Sequence, residues 1–176
     1  IDDWQSTDHA KRLKIVIDST ALAGDVNNAV VIFKFADANF SGGVNDEGND
    51  LKFYALDPEG STYGTTPTVC DYDPFDWNAT AGGNIAVEVP MLDSGADATV
   101  YCYYDGASSL DLDNPSATYA NAVAIYHFEG NANAVVGTNG TLGDGSASPI
   151  TGSTNGIIGS YYSFDGGDNI TGGDAD

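Results

Sequence analysis

The feature that most constrains the fold is a set of short segments in which apolar and polar residues alternate. Residues 12–18, RLKIVID, and residues 84–92, NIAVEVPML, both follow this pattern. An alternation with a period of two is typical of β-strands that are buried on one face. The residues predicted to point into the core are Leu13, Ile15, Ile17, Ile85, Val87 and Val89.

Four further segments have the composition of strands: 29–36, 51–57, 67–73 and 98–106. We expect segment 29–36, AVVIFKFA, to be covered on both sides because its apolar run is almost uninterrupted. Turn signals separate the six segments by roughly 12 to 20 residues, which favours antiparallel pairing over alternating strands and helices. The sequence therefore predicts an all-β fold, an antiparallel β-sandwich of jelly-roll type, over residues 1–106.

The pattern changes beyond this domain. Residues 107–122 are predicted to form a linker or an extended crossing segment, with one short helix around residues 114–121. Residues 123–176 contain many Gly, Asn, Ser and Thr residues, and we expect only two or three strands there. Because so few strands cannot close a sandwich, this second domain is predicted to be partial.

The charge limits the classes of partner. The net charge is −21, all five basic residues lie in the first 52 positions, and 17 acidic residues follow them. Such a surface repels nucleic acid and anionic lipid. No apolar run reaches the ~18 residues that a membrane span requires. We therefore expect neither nucleic-acid binding nor membrane insertion. We predict instead loops that suit saline surroundings, divalent cations or a cationic neighbour.

Cys70 and Cys102 lie in the strand-like runs TVCDYD and TVYCYYD. The chain begins at Ile1 without a leader, and we expect a processed extracellular product in which a disulfide is credible. A Cys70–Cys102 disulfide would close a loop of about 31 residues and stabilise the fold by roughly 3 kcal/mol. The alternative is two buried thiols on adjacent strands.

The titratable residues do not indicate catalysis. The four Glu residues are isolated from one another, so no carboxylate pair of the glycosidase type is visible. His9 and His127 are too few and too separate for a His-based metal site or a catalytic triad. We expect that the protein is not an enzyme.

Calcium is the cofactor that the composition favours, because hard cations take several carboxylate and carbonyl oxygens. Acidic clusters occur at residues 45–50, 71–76, 111–114 and 165–169, and none has the spacing of an EF-hand loop. The predicted calcium ligands are Asp71, Asp73, Asp76, Asp111 and Asp113.

Two further patterns point to the outer surface. Four Asn-x-Ser/Thr sequons mark candidate glycosylation sites. They are Asn39, Asn78, Asn139 and Asn169. Four tyrosines are expected either to stack on sugars or to pack against a neighbouring sheet. They are Tyr101, Tyr103, Tyr161 and Tyr162.

An ordered set of motifs covers residues 4–106. Trp4 comes first, followed by the runs GNDLKF (48–53), VEVP (87–90) and YCYYDG (101–106). In order and spacing the region resembles a bacterial, archaeal and phage surface family, the domain of unknown function family 2341. The inserted Asp105 departs from the usual ending of that family.

A second resemblance covers residues 123–172. The runs VAIYHFEGNANAVVGTNGTLGDGS and IIGSYYSFDGGDNI look like the start of a laminin-G or concanavalin-like lectin domain. The resemblance implies a lectin-like sandwich whose remainder lies outside this chain or is supplied by another chain.

These patterns together predict a non-enzymatic extracellular structural subunit or module of a surface assembly. Such an assembly would be a filament, a sheath or a virion appendage, held by strand pairing and acidic loops. The alternative is a carbohydrate-binding adhesin module. The expected partners are further copies of the chain, neighbouring structural subunits or carbohydrate, at a cell surface or virion surface.

Overall fold

The computed structural model describes residues 5–36, 40, 43–56, 67–78, 81–107, 109–122, 125–126, 134–136, 141–143, 151–153, 161–163 and 169–171. The chain divides into two compact units, Ile1–Thr118 and Tyr119–Asp176. The all-β, antiparallel architecture predicted from the sequence is confirmed. Within the described ranges, no helix is both long enough and apolar enough to cross a membrane.

Seven strands of the first unit form two antiparallel sheets. They are β1 (His9–Ile17), β2 (Val26–Ala36), β3 (Lys52–Leu56), β4 (Thr68–Cys70), β5 (Tyr72–Asn78), β6 (Gly82–Leu92) and β7 (Ala98–Gly106). Sheet 1 has the order β1-β7-β3-β4, and sheet 2 has the order β2-β6-β5. The chain changes sheet four times: between β1 and β2, between β2 and β3, between β4 and β5, and between β6 and β7. The two antiparallel sheets connected in this way form a β-sandwich.

The core lies between the two sheets and takes side chains from both. Phe53 and Cys102 of sheet 1 are fully buried, as are Val87 and Val89 of sheet 2, and all four belong to one apolar cluster. Complete burial of one large apolar side chain contributes roughly 1.5–3 kcal/mol, so this cluster holds the sheets together. All six residues predicted to point inward belong to the core or pack against it: Leu13, Ile15, Ile17, Ile85, Val87 and Val89.

Residues 67–73 do not form one strand as predicted. β4 pairs with β3 in sheet 1, whereas β5 pairs with β6 in sheet 2, and the chain crosses between the sheets at Asp71. Cys70 and Tyr72, on either side of the crossing, are both buried in the core. The hydrophobic alternation therefore continues through the crossing, and the sequence pattern cannot show where the strand changes its partner.

The expectation that residues 29–36 are covered on both sides is wrong. Phe35 points into the core and is buried, but Val30 and Ile32 on the opposite face are 43% and 46% exposed. β2 stands at the edge of sheet 2 as described, where it pairs with β6.

Residues 109–118 cross the other half of sheet 2 as part of the first unit. The Leu112 amide donates to the Asn49 carbonyl (2.8 Å), and the Asn114 amide donates to the Tyr72 carbonyl (2.9 Å). The predicted short helix is confirmed as α1 (Pro115–Thr118), which packs against β5 and β6.

The predicted Cys70–Cys102 disulfide is wrong, because both cysteines are free and buried. Cys70 in β4 and Cys102 in β7 both pair with Phe53, so β3 lies between them. Two strand spacings amount to roughly 9.5 Å, beyond the ~7 Å between Cα atoms that a disulfide permits. The predicted alternative is correct in that both thiols are buried, and wrong only in that β3 separates the two strands that carry them. Burial raises the pKa of the Cys70 thiol to about 12 and also raises that of Cys102.

The described residues of the second unit include six short strands, more than the two or three expected. They are β8 (Ile125–Tyr126), β9 (Ala134–Val136), β10 (Thr141–Gly143), β11 (Thr151–Ser153), β12 (Tyr161–Ser163) and β13 (Asn169–Thr171). They form three antiparallel pairs, β8–β9, β10–β13 and β11–β12.

Candidate functional site

The structure brings together two Asp-rich segments that are separate in sequence. Asp73 lies on β5, and Asp111 and Asp113 lie in the crossing segment that hydrogen-bonds to β5. Asp113 is hydrogen-bonded to Asp111 and also experiences the negative charge of Asp73. The Asn114 side-chain amide donates to Asp71 Oδ1 at 2.9 Å. We call Asp71, Asp73, Asp111 and Asp113 the acidic cluster.

Electrostatic repulsion within the acidic cluster is visible at Asp113. Burial, followed by the hydrogen bond and the negative charge of Asp111 and by a smaller effect of Asp73, raises the pKa of Asp113 to about 6. Each of these causes disfavours the ionised carboxylate. A proton or a divalent cation bound here would relieve the repulsion.

The geometry of the acidic cluster is not that of a preformed metal site. Within the described part of the chain, no group of three or more His, Cys, Asp or Glu side chains is placed to hold a metal ion. The side chain of Asp76, a predicted ligand, lies outside the described residues. Calcium binding therefore stays a prediction.

The acidic loop at residues 45–50 is instead satisfied by its own hydrogen bonds. Asn45 Oδ1 accepts from the amides of Glu47 (3.1 Å) and Gly48 (2.7 Å). The Asp50 carboxylate accepts from the Asn45 amide at 3.1 and 3.2 Å. The Trp77 indole donates to the Asn45 carbonyl at 3.2 Å. These bonds close an Asx-type turn onto the sandwich and give the loop a structural role.

His9 also has a structural role that the sequence did not reveal. It is buried, its Nε2 donates to the Asp50 carbonyl (2.9 Å), and its Nδ1 lies 2.7 Å from the Ser6 hydroxyl. Because a carbonyl oxygen can only accept, Nε2 carries a proton. His9 thereby joins the start of β1 to the loop before β3. His127 lies outside the described residues.

A basic face, which the sequence analysis missed, covers the outside of sheet 1. We define it as Arg12, Lys14 and Lys52, which share that face with Tyr54, Tyr101 and Tyr103. The Arg12 guanidinium lies 4.7 Å from the Tyr101 ring centroid, and Lys52 Nζ lies 5.6 Å from that of Tyr54. The signal was present in the sequence, because Arg12 and Lys14 are two residues apart on one strand. That Arg12 and Lys14 share a face with Lys52 could be seen only from the strand order.

The tyrosines of sheet 1 are not free to stack on sugars. Tyr101 and Tyr103 are 7% and 0% exposed. The Gln5 amide donates to the Tyr103 hydroxyl (3.0 Å), and the Tyr54 hydroxyl donates to the Gln5 carbonyl (3.3 Å). Tyr101 and Tyr103 also do not pack against sheet 2, because they lie on the outer face of sheet 1. The side chains of Tyr161 and Tyr162 lie outside the described residues.

The described sheets have four edge strands, β1 and β4 in sheet 1 and β2 and β5 in sheet 2. β1 carries the cations Lys11, Arg12 and Lys14, and Lys11 forms an ion pair with Asp105 at 3.0 Å. β2 carries no charged residue from Val26 to Phe33.

The predicted glycosylation sites are placed only in part. Asn78 is exposed at the end of β5, and Asn169 lies in β13 opposite Gly143. Asn39 and Asn139 lie outside the described residues, as does Trp4. Glycosylation of all four stays a prediction.

Comparisons with known proteins do not assign the chain to a family. No family model matches it, and neither the curated proteins nor the solved structures include a significant match. The resemblances to family 2341 and to laminin-G or concanavalin-like lectins therefore stay predictions.

Proposed function

We propose that the chain is a non-enzymatic, extracellular structural module of a surface assembly such as a filament, a sheath or a virion appendage. The observation that carries the proposal is that β2 is an edge strand of sheet 2 as described and has exposed apolar side chains on its outer face. β2 is eleven residues long and exposes Val26, Val30 and Ile32 by 39–46%. An edge strand with exposed β-branched side chains is a template for pairing with another chain.

The net charge of the chain predicts that its self-association depends on the salt concentration. A net charge of −21 makes copies of the chain repel one another, and salt screens that repulsion over a Debye length of about 8 Å at physiological ionic strength. Association therefore increases with ionic strength. We propose that calcium acts in the same direction at the acidic cluster, where it would replace the proton favoured by Asp113.

The proposal is tested by sedimentation velocity on the chain across a range of NaCl concentrations, with and without CaCl₂. We expect association that increases with NaCl and increases further with CaCl₂ at constant ionic strength. A chain that remains monomeric under all these conditions contradicts the structural role. Saturable glycan binding by such a monomer would establish the adhesin alternative.

A further inference from the structure

We infer that two copies of this chain associate by antiparallel pairing of β2 with β2 of the second copy, about a two-fold axis at Val31. This inference rests on the proposed function and names the surface that carries it. The result is a continuous six-stranded sheet made from sheet 2 of each copy. The count of six includes only the three described strands of sheet 2 in each copy.

The length and regularity of β2 suit this pairing. Eleven residues span about 37 Å at the rise of an antiparallel strand. β2 pairs with β6 in one unbroken register from Ala29 to Ala36. Asn28 has a left-handed φ of 51°, which Asn tolerates and which interrupts the regular strand. The pairing with a second copy is therefore centred in the regular part of β2, on the C-terminal side of Asn28.

The outer face of β2 is complementary to itself in this register. A two-fold axis at Val31 places Val30 opposite Ile32 of the second copy, and Ile32 opposite Val30 of the second copy. Regular pairing in this register extends from Ala29 to Phe33, and Lys34 lies just beyond it. Apolar side chains that are about half exposed in one copy then cover each other, as cross-strand pairs of β-branched residues do.

Charge favours β2 over the edge strand β1 as the pairing surface. β2 has no acidic residue, and its single charged residue is Lys34. Each copy therefore offers a cation, and no additional negative charge, to a partner whose net charge is −21. β1 instead carries three cations along its edge, the arrangement by which natural sheets prevent edge pairing.

Substitution of a β2 residue tests the surface. Ile32→Lys places two new cations opposite apolar side chains in the pair, so we expect dimerisation to weaken by at least about tenfold in sedimentation experiments at high salt. Val16→Lys is the matched control, because Val16 is 54% exposed on β1 and the change in charge is the same. Circular dichroism checks that both variants retain the β fold.

Cross-linking tests the register. The native thiols are buried with raised pKa values, so an introduced surface cysteine is the reactive one. A mixture of Val30→Cys and Ile32→Cys variants is oxidised mildly, and the disulfide-linked species are identified by mass. We expect the disulfide-linked dimer that contains one copy of each variant to be more abundant than random pairing of the two variants would give. A mixture of Val16→Cys and Val69→Cys, both at exposed positions, should give only the random share.

The outcomes separate this inference from the proposed function. If the chain associates but Ile32→Lys associates equally well, or if the heterodimer is not enriched, β2 pairing is wrong and assembly uses another surface. If the unmodified chain does not associate at any salt or calcium concentration, both the inference and the proposed function are wrong.

Discussion

The two sheets of the sandwich share one core but differ on their outer faces. Sheet 1 carries Arg12, Lys14 and Lys52 around buried tyrosines. Sheet 2 has the edge strand β2, whose only charged residue is Lys34, and the acidic cluster beside β5. Cations along an edge strand disfavour pairing with another chain, and β1 carries more of them than β2 does.

The difference also shows that the net charge of a chain is a poor guide to the charge of any one part of its surface. A chain with 26 acidic and five basic residues would be expected to be negatively charged on every face. The strand order instead collects three of the five cations on one face, where two of them lie over tyrosine rings. Interactions at these distances depend on the nearest groups, because solvent and salt screen the more distant charges.

The largest loss of stability is expected from a substitution that disrupts the pairing of β2 with β6. Gly82 has a φ of 79°, and a Cβ there would lie 2.2 Å from the Phe35 carbonyl oxygen. Gly82→Ala should lower the free energy of unfolding by roughly 2–4 kcal/mol, since both strain and backbone overlap oppose it. Urea denaturation measures the loss. Gly24→Ala is the control, because nothing lies within 4 Å of a Cβ there. Equal losses in the two variants would contradict the account.

The basic face of sheet 1 should contribute less. Arg12→Ala removes the guanidinium over Tyr101, and we expect the free energy of unfolding to fall by about 1 kcal/mol. Lys34→Ala removes the same charge from the exposed face of sheet 2 and should have little effect. Urea denaturation of both variants makes the comparison. A loss in Lys34→Ala as large as in Arg12→Ala would show that net charge, and not the contact with tyrosine, is responsible.

The acidic cluster beside sheet 2 should produce a modest dependence of stability on pH. The pKa of Asp113 is about 6 in the fold, above the ordinary value of 3.8, so the folded state holds the proton more tightly. Its contribution to stability is present below pH 4 and is lost as the pH rises through 6. Asp113→Asn removes this loss, so the variant should gain stability relative to the unmodified chain between pH 4 and pH 7.

Denaturant unfolding at several pH values measures this gain for Asp113→Asn. Asp97→Asn, at an exposed position, makes the same change in charge and should show no such trend. A gain for Asp113→Asn that is constant with pH would mean that Asp113 does not titrate in this range.

The smallest expected effect is that of a reducing agent. Cys70 and Cys102 are free and separated by β3, so dithiothreitol should leave the free energy of unfolding unchanged. A disulfide would instead have contributed roughly 3 kcal/mol. A fall of that size on reduction, measured by urea denaturation, would show that sheet 1 is cross-linked after all.

The sequence by itself determined the all-β class and much of the core. Alternation at residues 12–18 and 84–92 correctly identified the inward residues, because side-chain direction in a strand depends only on local geometry. It also located the short helix, since Asn114 and Pro115 form a local start signal. These features depend on neighbours a few residues apart, which a single sequence displays directly.

Only the tertiary structure decided which strands are neighbours, and every wrong prediction for the first unit follows from that. The change of sheet at Asp71, the insertion of β3 between the two cysteines and the exposure of β2 all depend on strand order. So do the convergence of Arg12 with Lys52 and that of the acidic cluster. Strand order depends on contacts between residues far apart in the chain, and alternation is the same whichever strand lies alongside.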